Sequence, residues 1–472
     1  MNIVLNTAEQ LSFSEAKDAM AGKLRALRNE KFFSSSKESR IIRLQIKIQP
    51  QSILSWLAQQ KHETLFYWAD REGKFQVGGV GVADRISLVG AQGQVPLLNY
   101  DFLFQEIKKK ISSASKDIRY YGGMAFDPQN LDREWNEFGV CSFLIPRFEL
   151  LNKEDEMIFT CNLLLQNNNP EELLGEVQEQ LKGINVSRVE LKKEIPSVLN
   201  RQDFPNYTSW STIITEALDS LKAGGNEKIV LARKSVLKLN TKPNPFLFLK
   251  EIEAKNNRSF HFCFQPKGAS AFLGASPERL YERSGNLIKS EAIAGTRPRG
   301  DFSLENQKLK NELLNSAKDV QEHEYVCEFI RDQLQKLCSN FQSTEHLSVL
   351  EVQEGMHLAS RFEGTLKNNF SDAEILKSLH PTPAVAGTPV QWAVDAISFY
   401  ESFSRGWYAG PVGWIGANGA EFAVAIRSAL VENSQISLFS GAGIVKGSTP
   451  ESEWNEIENK MSSFMKMFRY ES

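Results

Sequence analysis

The chain has 472 residues, 41% of them from the hydrophobic set and 24% charged, an ordinary globular balance with enough apolar surface for a large core. A formal net charge of -3 gives no general attraction to nucleic acid or an acidic membrane, and no apolar run is long enough for a membrane-spanning helix. The N-terminus lacks a basic stretch followed by an apolar one, so it does not read as a signal peptide; five scattered cysteines argue against a disulfide framework and for a cytoplasmic protein.

In chain order, residues 65–86, 119–128 and 141–151 alternate apolar and polar residues between glycine-rich turns, which predicts strands of a mostly antiparallel sheet. QNNNPEELLGEVQEQLKGI (166–184) predicts a helix with Asn169 as its cap and Pro170 in its first turn. The polar segment 192–210 is the expected boundary between an N-terminal half, 1–200, and a second region, 201–472, although it fits a loop over one continuous core as well. A helix is expected over 209–222, ended by Gly224-Gly225, then strands over 227–239, 260–266 and 271–283. From Asn306 to Ser339 the apolar residues between Leu309 and Leu337 share a stripe, predicting one long helix. Its His323 and Cys327 lie one turn apart, but no comparable pair completes a zinc site. Strands over 407–415, 421–431 and 436–445 follow. A last helix is capped by Thr449, begun by Pro450 and seamed by Trp454, Ile457, Met461, Phe464 and Phe468. Strand groups alternating with helices, few of them βαβ, predict an α+β fold.

The residues that bear chemistry gather in the second region. Asp319 and Glu322 are three apart, as are Glu453 and Glu456 on the last helix, which puts each pair on one helix face. Taken alone, either pair reads equally as a solvated face, and Glu456 with Lys460 as an i,i+4 ion pair. Tyr325, Val326 and Phe329, however, add a second apolar stripe beside Glu322, and Glu453 and Glu456 flank Trp454 and Ile457. A carboxylate buried there needs a partner or a cation. Oxygen donors without thiol or imidazole suit Mg²⁺, which takes one or two protein carboxylates and completes its shell from substrate. SGAGIVKGSTPESEW (440–454) runs from a strand into the last helix; it is no Walker A loop, yet its backbone N–H groups suit an anion. Arg427, inside FAVAIRSAL, is either a solvent-facing arginine or a bidentate clamp for a carboxylate. Lys228, opening KIVLAR, protects a strand edge or, in a dry site, serves as a general base. Glu278, in GASPERL, starts a turn or, if buried, serves as a general acid.

Together these segments resemble the chorismate-utilising enzymes: EKIVLARK, FLGASPERL, EAIAGTRPRG, KDVQEHEYV, HLASRFEG, LHPTPAVAGTP, WYAGPVGW, AIRSALVE and GAGIVKGSTPESEWNEIENK, in order from about residue 205 to the end. The first half is similar through GGMAFDP and the W-x-x-F-x₄-F-x-x-P pattern from Trp135 to Pro146. The resemblance implies two packed, mostly antiparallel sheets with helices outside and the site between them. It implies that Lys228 activates water for attack at ring C2 and that Glu278 protonates the departing C4 hydroxyl. Mg²⁺ would be held by Glu322 and Glu456, with Asp319 and Glu453 acting through water. Arg427, Tyr408, Thr296, Gly295, Lys460 and the backbone of Gly441, Ala442 and Gly443 would hold the two carboxylates of chorismate, with His357 beside the ring.

Within that family, Ala294 stands where aminodeoxychorismate synthases carry a nucleophilic lysine. Lys228 stands where anthranilate synthases have glutamine and use ammonia from a partner, so no glutamine amidotransferase is expected. Ala384, in LHPTPAVAGTP, stands in a segment that contains threonine in salicylate synthases. The resemblance therefore implies an isochorismate synthase, of the menaquinone type from its long first half. The alternatives are a salicylate synthase that also releases pyruvate and a non-catalytic chorismate-binding module.

Overall fold

The computed structural model describes residues 2–5, 10–29, 40–88, 100–112, 116–166, 169–187, 191, 195–256, 258–297, 303–352, 355–367 and 370–470. The strands among these residues hydrogen-bond into one continuous network of 21. Among the described residues only two of the strand pairings are parallel, Asn2–Leu5 with Arg40–Lys47 and Arg469–Tyr470 with Ser197–Phe204. The two halves of the chain share this network, since Leu65–Ala69 pairs with Phe260–Gln265 and Arg119–Met124 with Pro411–Gly416. An aromatic core follows from that pairing: Trp135 meets Phe272 edge-on at 5.2 Å and Phe138 meets Trp407 at 5.5 Å, the geometry ring quadrupoles favour. The helix Ala317–Leu337 packs on the strand Leu287–Arg297, and the last helix, Pro450–Met465, on the strand Gln435–Ile444. The architecture is α+β and mostly antiparallel.

The early strands fall at Leu65–Ala69, Phe75–Leu88, Arg119–Met124 and Cys141–Lys153. Of the stretch 166–184, residues 167–168 lie outside the described residues; the helix is Pro170–Gly183, and Asn169 accepts from the Glu171 N–H at 3.1 Å. Of the expected boundary, residues 192–194 lie outside the described residues. The rest is largely strand: Ser197–Phe204 pairs with Lys228–Leu239, and Tyr207 already begins the helix Tyr207–Gly224. That strand is polar because its residues, apart from the buried Val198, are exposed or half-buried, so apolar alternation never marks it.

Three expected elements are broken, and each break has a local cause. The stripe over 306–339 is shared by two helices, Ser303–Asn315 and Ala317–Leu337, because the Ser316 hydroxyl accepts from the Asp319 N–H at 3.3 Å and caps the second. The strand over 271–283 divides into Ser270–Ser276 and Arg279–Ser284 at Pro277, which has no N–H for a ladder. The strand over 421–431 divides into Gly419–Val424 and Ser428–Glu432, with Arg427 left-handed at φ 50°. Similarly, the strand over 407–415 begins only at Pro411, after Ala409 at φ 62°, and Phe468 lies beyond the last helix.

Candidate active site

Two of these breaks face each other. Ser270–Ser276 pairs with Ser428–Glu432, whereas Arg279–Ser284 pairs with Gly419–Val424, so both chains change partners at the same level. The crossing is locked by Ser276 Oγ donating to the Val424 carbonyl at 2.6 Å, the Val424 N–H donating to the Glu278 carbonyl at 3.1 Å, and the Ala275 N–H donating to the Arg427 carbonyl at 3.1 Å. The kinks turn Glu278 and Arg427 into one cavity. Arg427 is therefore not a strand residue on one of two alternating faces, as the sequence had it; its left-handed backbone re-aims it.

Glu278 is only 3% exposed. Burial pushes its carboxyl up to about 8, with the Glu291 charge adding to the rise while Lys228 and Lys460 oppose it. At neutral pH it holds a proton it can give away.

Lys228 begins the strand Lys228–Leu239 and is completely buried, with Nζ 2.8 Å from Oε1 of Glu322 on the helix Ala317–Leu337. Gly443, in the neighbouring strand, makes the pair possible. A Cβ there would lie 2.5 Å from the Glu322 carboxylate and 3.0 Å from Lys228 Cε. One on Gly441 would meet the Tyr408 hydroxyl at 3.1 Å. The glycines of SGAGIV thus keep one strand face empty over the cavity. Ala442 alternates to the other face and is wholly buried in the core, leaving only its backbone to bear on the site.

His357 is buried with defined hydrogen bonds. Its Nε2 lies 2.9 Å from Arg427 Nη2, and its Nδ1 lies 3.2 Å from the Gly295 carbonyl and 3.0 Å from Thr296 Oγ1. A guanidinium only donates and a carbonyl only accepts, so Nε2 is bare and Nδ1 carries the proton. Burial and the Arg427 charge push the imidazole down to about 3, which keeps it neutral.

The four expected metal carboxylates occupy two situations. Glu322 and Glu456 line the cavity. Asp319 is turned to Arg297, 2.7 Å away, and Glu453 to Lys318, 3.1 Å away, so neither reaches the cavity wall. Among the described residues no three His, Cys, Asp or Glu side chains converge as a ready-made metal nest. Glu456 accepts from Lys460 at 2.7 Å and keeps 37% of its side chain exposed. Its partial burial opposes the charge, but Lys460, with Lys318 and Lys228 behind it, outweighs this and holds the carboxyl below its ordinary value. Glu453 is raised instead by burial and by its neighbour Glu456, and its Oε2 has no hydrogen-bond partner among the described residues.

The cavity has a volume of about 90 Å³ and opens past Thr296, Arg427, Glu456 and Lys460 into a cleft of about 660 Å³. Gly295, Ala384 and Tyr408 complete its expected wall; Lys228 stands behind the wall, against Gly443 and Glu322. Sequence reasoning missed Val385, Ile426 and Val230 in the wall, and also Arg405, whose guanidinium donates to the Val385 and Val230 carbonyls at 2.8 Å each and ties them to Glu401. Glu401 and Arg405 both lie past the helix Val390–Tyr400, so their spacing is no helical i,i+4 pair and no local signal marked them. His323 and Cys327, 3.3 Å apart, are joined to Ser360 rather than to further ligands, and the five cysteines are buried free thiols.

Comparison with known proteins matches residues 25–469 to the family described as chorismate binding enzyme. Isochorismate synthase 2, chloroplastic, of Arabidopsis thaliana is 34% identical over 92% of this chain and 82% of its own length. Isochorismate synthase MenF of Escherichia coli is 31% identical over 89% and 91%. The solved structure of the menaquinone-specific MenF from Escherichia coli superposes with a TM-score of 0.83 at 28% identity, covering 96% of this chain and all of that one. Family match, sequence identity and superposition thus agree over nearly the whole length, and the chain belongs to the chorismate binding enzyme family.

Proposed function

We infer that the chain catalyses the isomerisation of chorismate to isochorismate. Its relatives over most of their length carry that activity in their names, and the site has the parts the reaction needs. The observation that carries the mechanism is the buried Glu278, its carboxyl pushed up to about 8 by that burial, in the same cavity as the carboxylate-binding candidates. On this reading, Lys228 in its unprotonated form takes a proton from a water as that water attacks ring C2. Glu278 gives its proton to the C4 hydroxyl, which leaves as water, and both ring double bonds shift, C1=C2 to C1=C6 and C5=C6 to C4=C5. Arg427, Thr296, Tyr408, Lys460 and the backbone of Gly441–Gly443 hold the substrate carboxylates, and neutral His357 fixes the direction in which Arg427 points.

The donor set suits Mg²⁺: all-oxygen carboxylates, two of them in the cavity wall, where a hard cation takes one or two from protein and the rest from substrate. We propose Glu322 and Glu456 as those ligands, with Asp319 and Glu453 behind them. When bound, the ion would neutralise a substrate carboxylate and make the ring more electrophilic. The likeness to a menaquinone-specific enzyme supports a product destined for quinone synthesis. No described helix is long and apolar enough to cross a membrane, and the buried thiols support placement in the cytoplasm.

The test is product analysis from both directions. Moving a hydroxyl around one ring changes little free energy, so chorismate and isochorismate, each supplied with Mg²⁺, should converge on the same mixture without pyruvate. One-way consumption with pyruvate release would overturn the assignment in favour of a lyase.

A further inference from the structure

Glu278 sits in a two-residue gap between strands, and such a gap does not by itself hold a side chain still. Its own carbonyl is fixed by the Val424 N–H, and its N–H donates to Ser276 Oγ at 3.2 Å. The residue before it is held from the other half of the chain. Arg71, just past the strand Leu65–Ala69, sends Nη1 to the Pro277 carbonyl at 2.9 Å and to Glu291 Oε2 at 2.7 Å, and Nη2 to Glu291 Oε1 at 2.6 Å. Both ends of this pair are buried, Arg71 to 7% and Glu291 to 5% exposure, and the guanidinium lies 5.6 Å from the centre of the Phe260 ring. The residue after Glu278 joins the same group: Arg279 reaches Glu291 at 3.3 Å and Glu421 at 2.9 Å. The fork therefore ties a backbone carbonyl to a carboxylate on the strand Leu287–Arg297, the strand that also carries Gly295 and Thr296 into the cavity.

We propose that Arg71, which lines no part of the cavity, is a positioning residue that acts through Glu278: its fork fixes the Pro277 carbonyl against Glu291 and so fixes where the Glu278 carboxyl points. The inference rests on the reading of Glu278 as the acid. It gives the N-terminal half a part in the chemistry. Lysine cannot replace the fork, because one compact ammonium cannot span both Glu291 oxygens and the carbonyl. Arg71→Lys keeps a cation beside Glu291 and is the gentler variant; Arg71→Met removes the charge as well.

The experiment crosses each of these with Glu278→Gln and measures kcat and KM for chorismate. Arg71→Lys is expected to lower kcat by about 10- to 100-fold, the effect of a misplacement of the order of 1 Å, with KM within about threefold. In the Glu278→Gln background it should cost less than about twofold, since the group it positions is already gone. Equal losses in both backgrounds would make Arg71 scaffold only, and so would normal kcat in Arg71→Lys with a slow Glu278→Gln. Normal kcat in Glu278→Gln alone would instead show that the acid assignment had failed. Should Arg71→Met not fold, the Arg71→Lys cycle decides the matter alone.

Discussion

Lys228 and Glu322 hold each other, Nζ to Oε1 at 2.8 Å, in space that a Cβ on Gly443 would take from both. The proposed base is thus the present counter-charge of a proposed metal ligand. A cation arriving at Glu322 meets the lysine's charge, and two unit charges about 4 Å apart repel by about 4 kcal/mol at the dielectric of a protein surface. Lys228→Met is therefore expected to bind Mg²⁺ at least about tenfold more tightly than the parent, equivalent to about 1.4 kcal/mol, although it turns over poorly. Titration calorimetry without substrate reads this directly. Unchanged or weaker binding would separate Lys228 from the metal site.

Glu322→Gln and Glu456→Gln should each abolish Mg²⁺-supported turnover while the far-ultraviolet circular dichroism stays that of the parent. Glu453→Gln should be milder, about 10- to 100-fold, because a carboxylate that reaches a metal through water orients it rather than binds it. Its engagement with Lys318 outside the cavity wall predicts the same order. Full activity of Glu456→Gln at limiting Mg²⁺ would remove it from the ligand set.

Gly443→Ala tests the steric reading of the glycine-rich strand. The added Cβ meets the far ends of Glu322 and Lys228, flexible groups that can move aside. The fold should survive, but both functional ends shift, and kcat should fall by about 100-fold for a displacement near 1 Å. Gly441→Ala, 3.1 Å from the Tyr408 hydroxyl, should mainly raise KM for chorismate. If Gly443→Ala turned over normally, the glycine would be serving the backbone alone.

Much of this site is legible in the sequence because its parts lie in short contiguous blocks. Alternation located Lys228 at a strand start, and Asn169, Thr449 and Pro450 marked helix starts through cap chemistry that is local by nature. What stayed hidden depends on contacts between distant segments. The kink that re-aims Arg427 exists because a second kink at Pro277 faces it, and apolar alternation runs straight through FAVAIRSAL. The Asp319–Arg297 pair likewise needs a helix folded onto a strand end, and the Glu453–Lys318 pair two helices side by side. So does the clasp of Arg71 on Glu291, across 220 residues. The i,i+3 rule correctly puts Asp319 with Glu322 on one face, yet cannot show that the cavity takes only the second.

Glu278 supplies the sharpest test, because its proton matters to both activity and stability. With the folded carboxyl pushed up to about 8 from an ordinary value of 4.5, the acid is loaded at neutral pH and empties as pH rises past about 8. The kcat/KM of the parent should therefore fall about tenfold per pH unit above that point, while Glu278→Gln, about 10²–10⁴-fold slower at pH 7, shows no such limb. The stability effect has a definite sign. The native state keeps a proton that the unfolded chain releases above its own carboxyl value. Any stability from this group is thus fully present below about 4.5, declines as pH rises towards 8 and is gone above it. Glutamine cannot ionise, so the difference in Tm between Glu278→Gln and the parent should be constant below about pH 4.5. The variant should gain on the parent up to about pH 8, after which the gap stays constant. A difference in Tm that is flat from pH 5 to 9 would mean that Glu278 ionises at its ordinary value in the native state, and the general-acid assignment would fall with it.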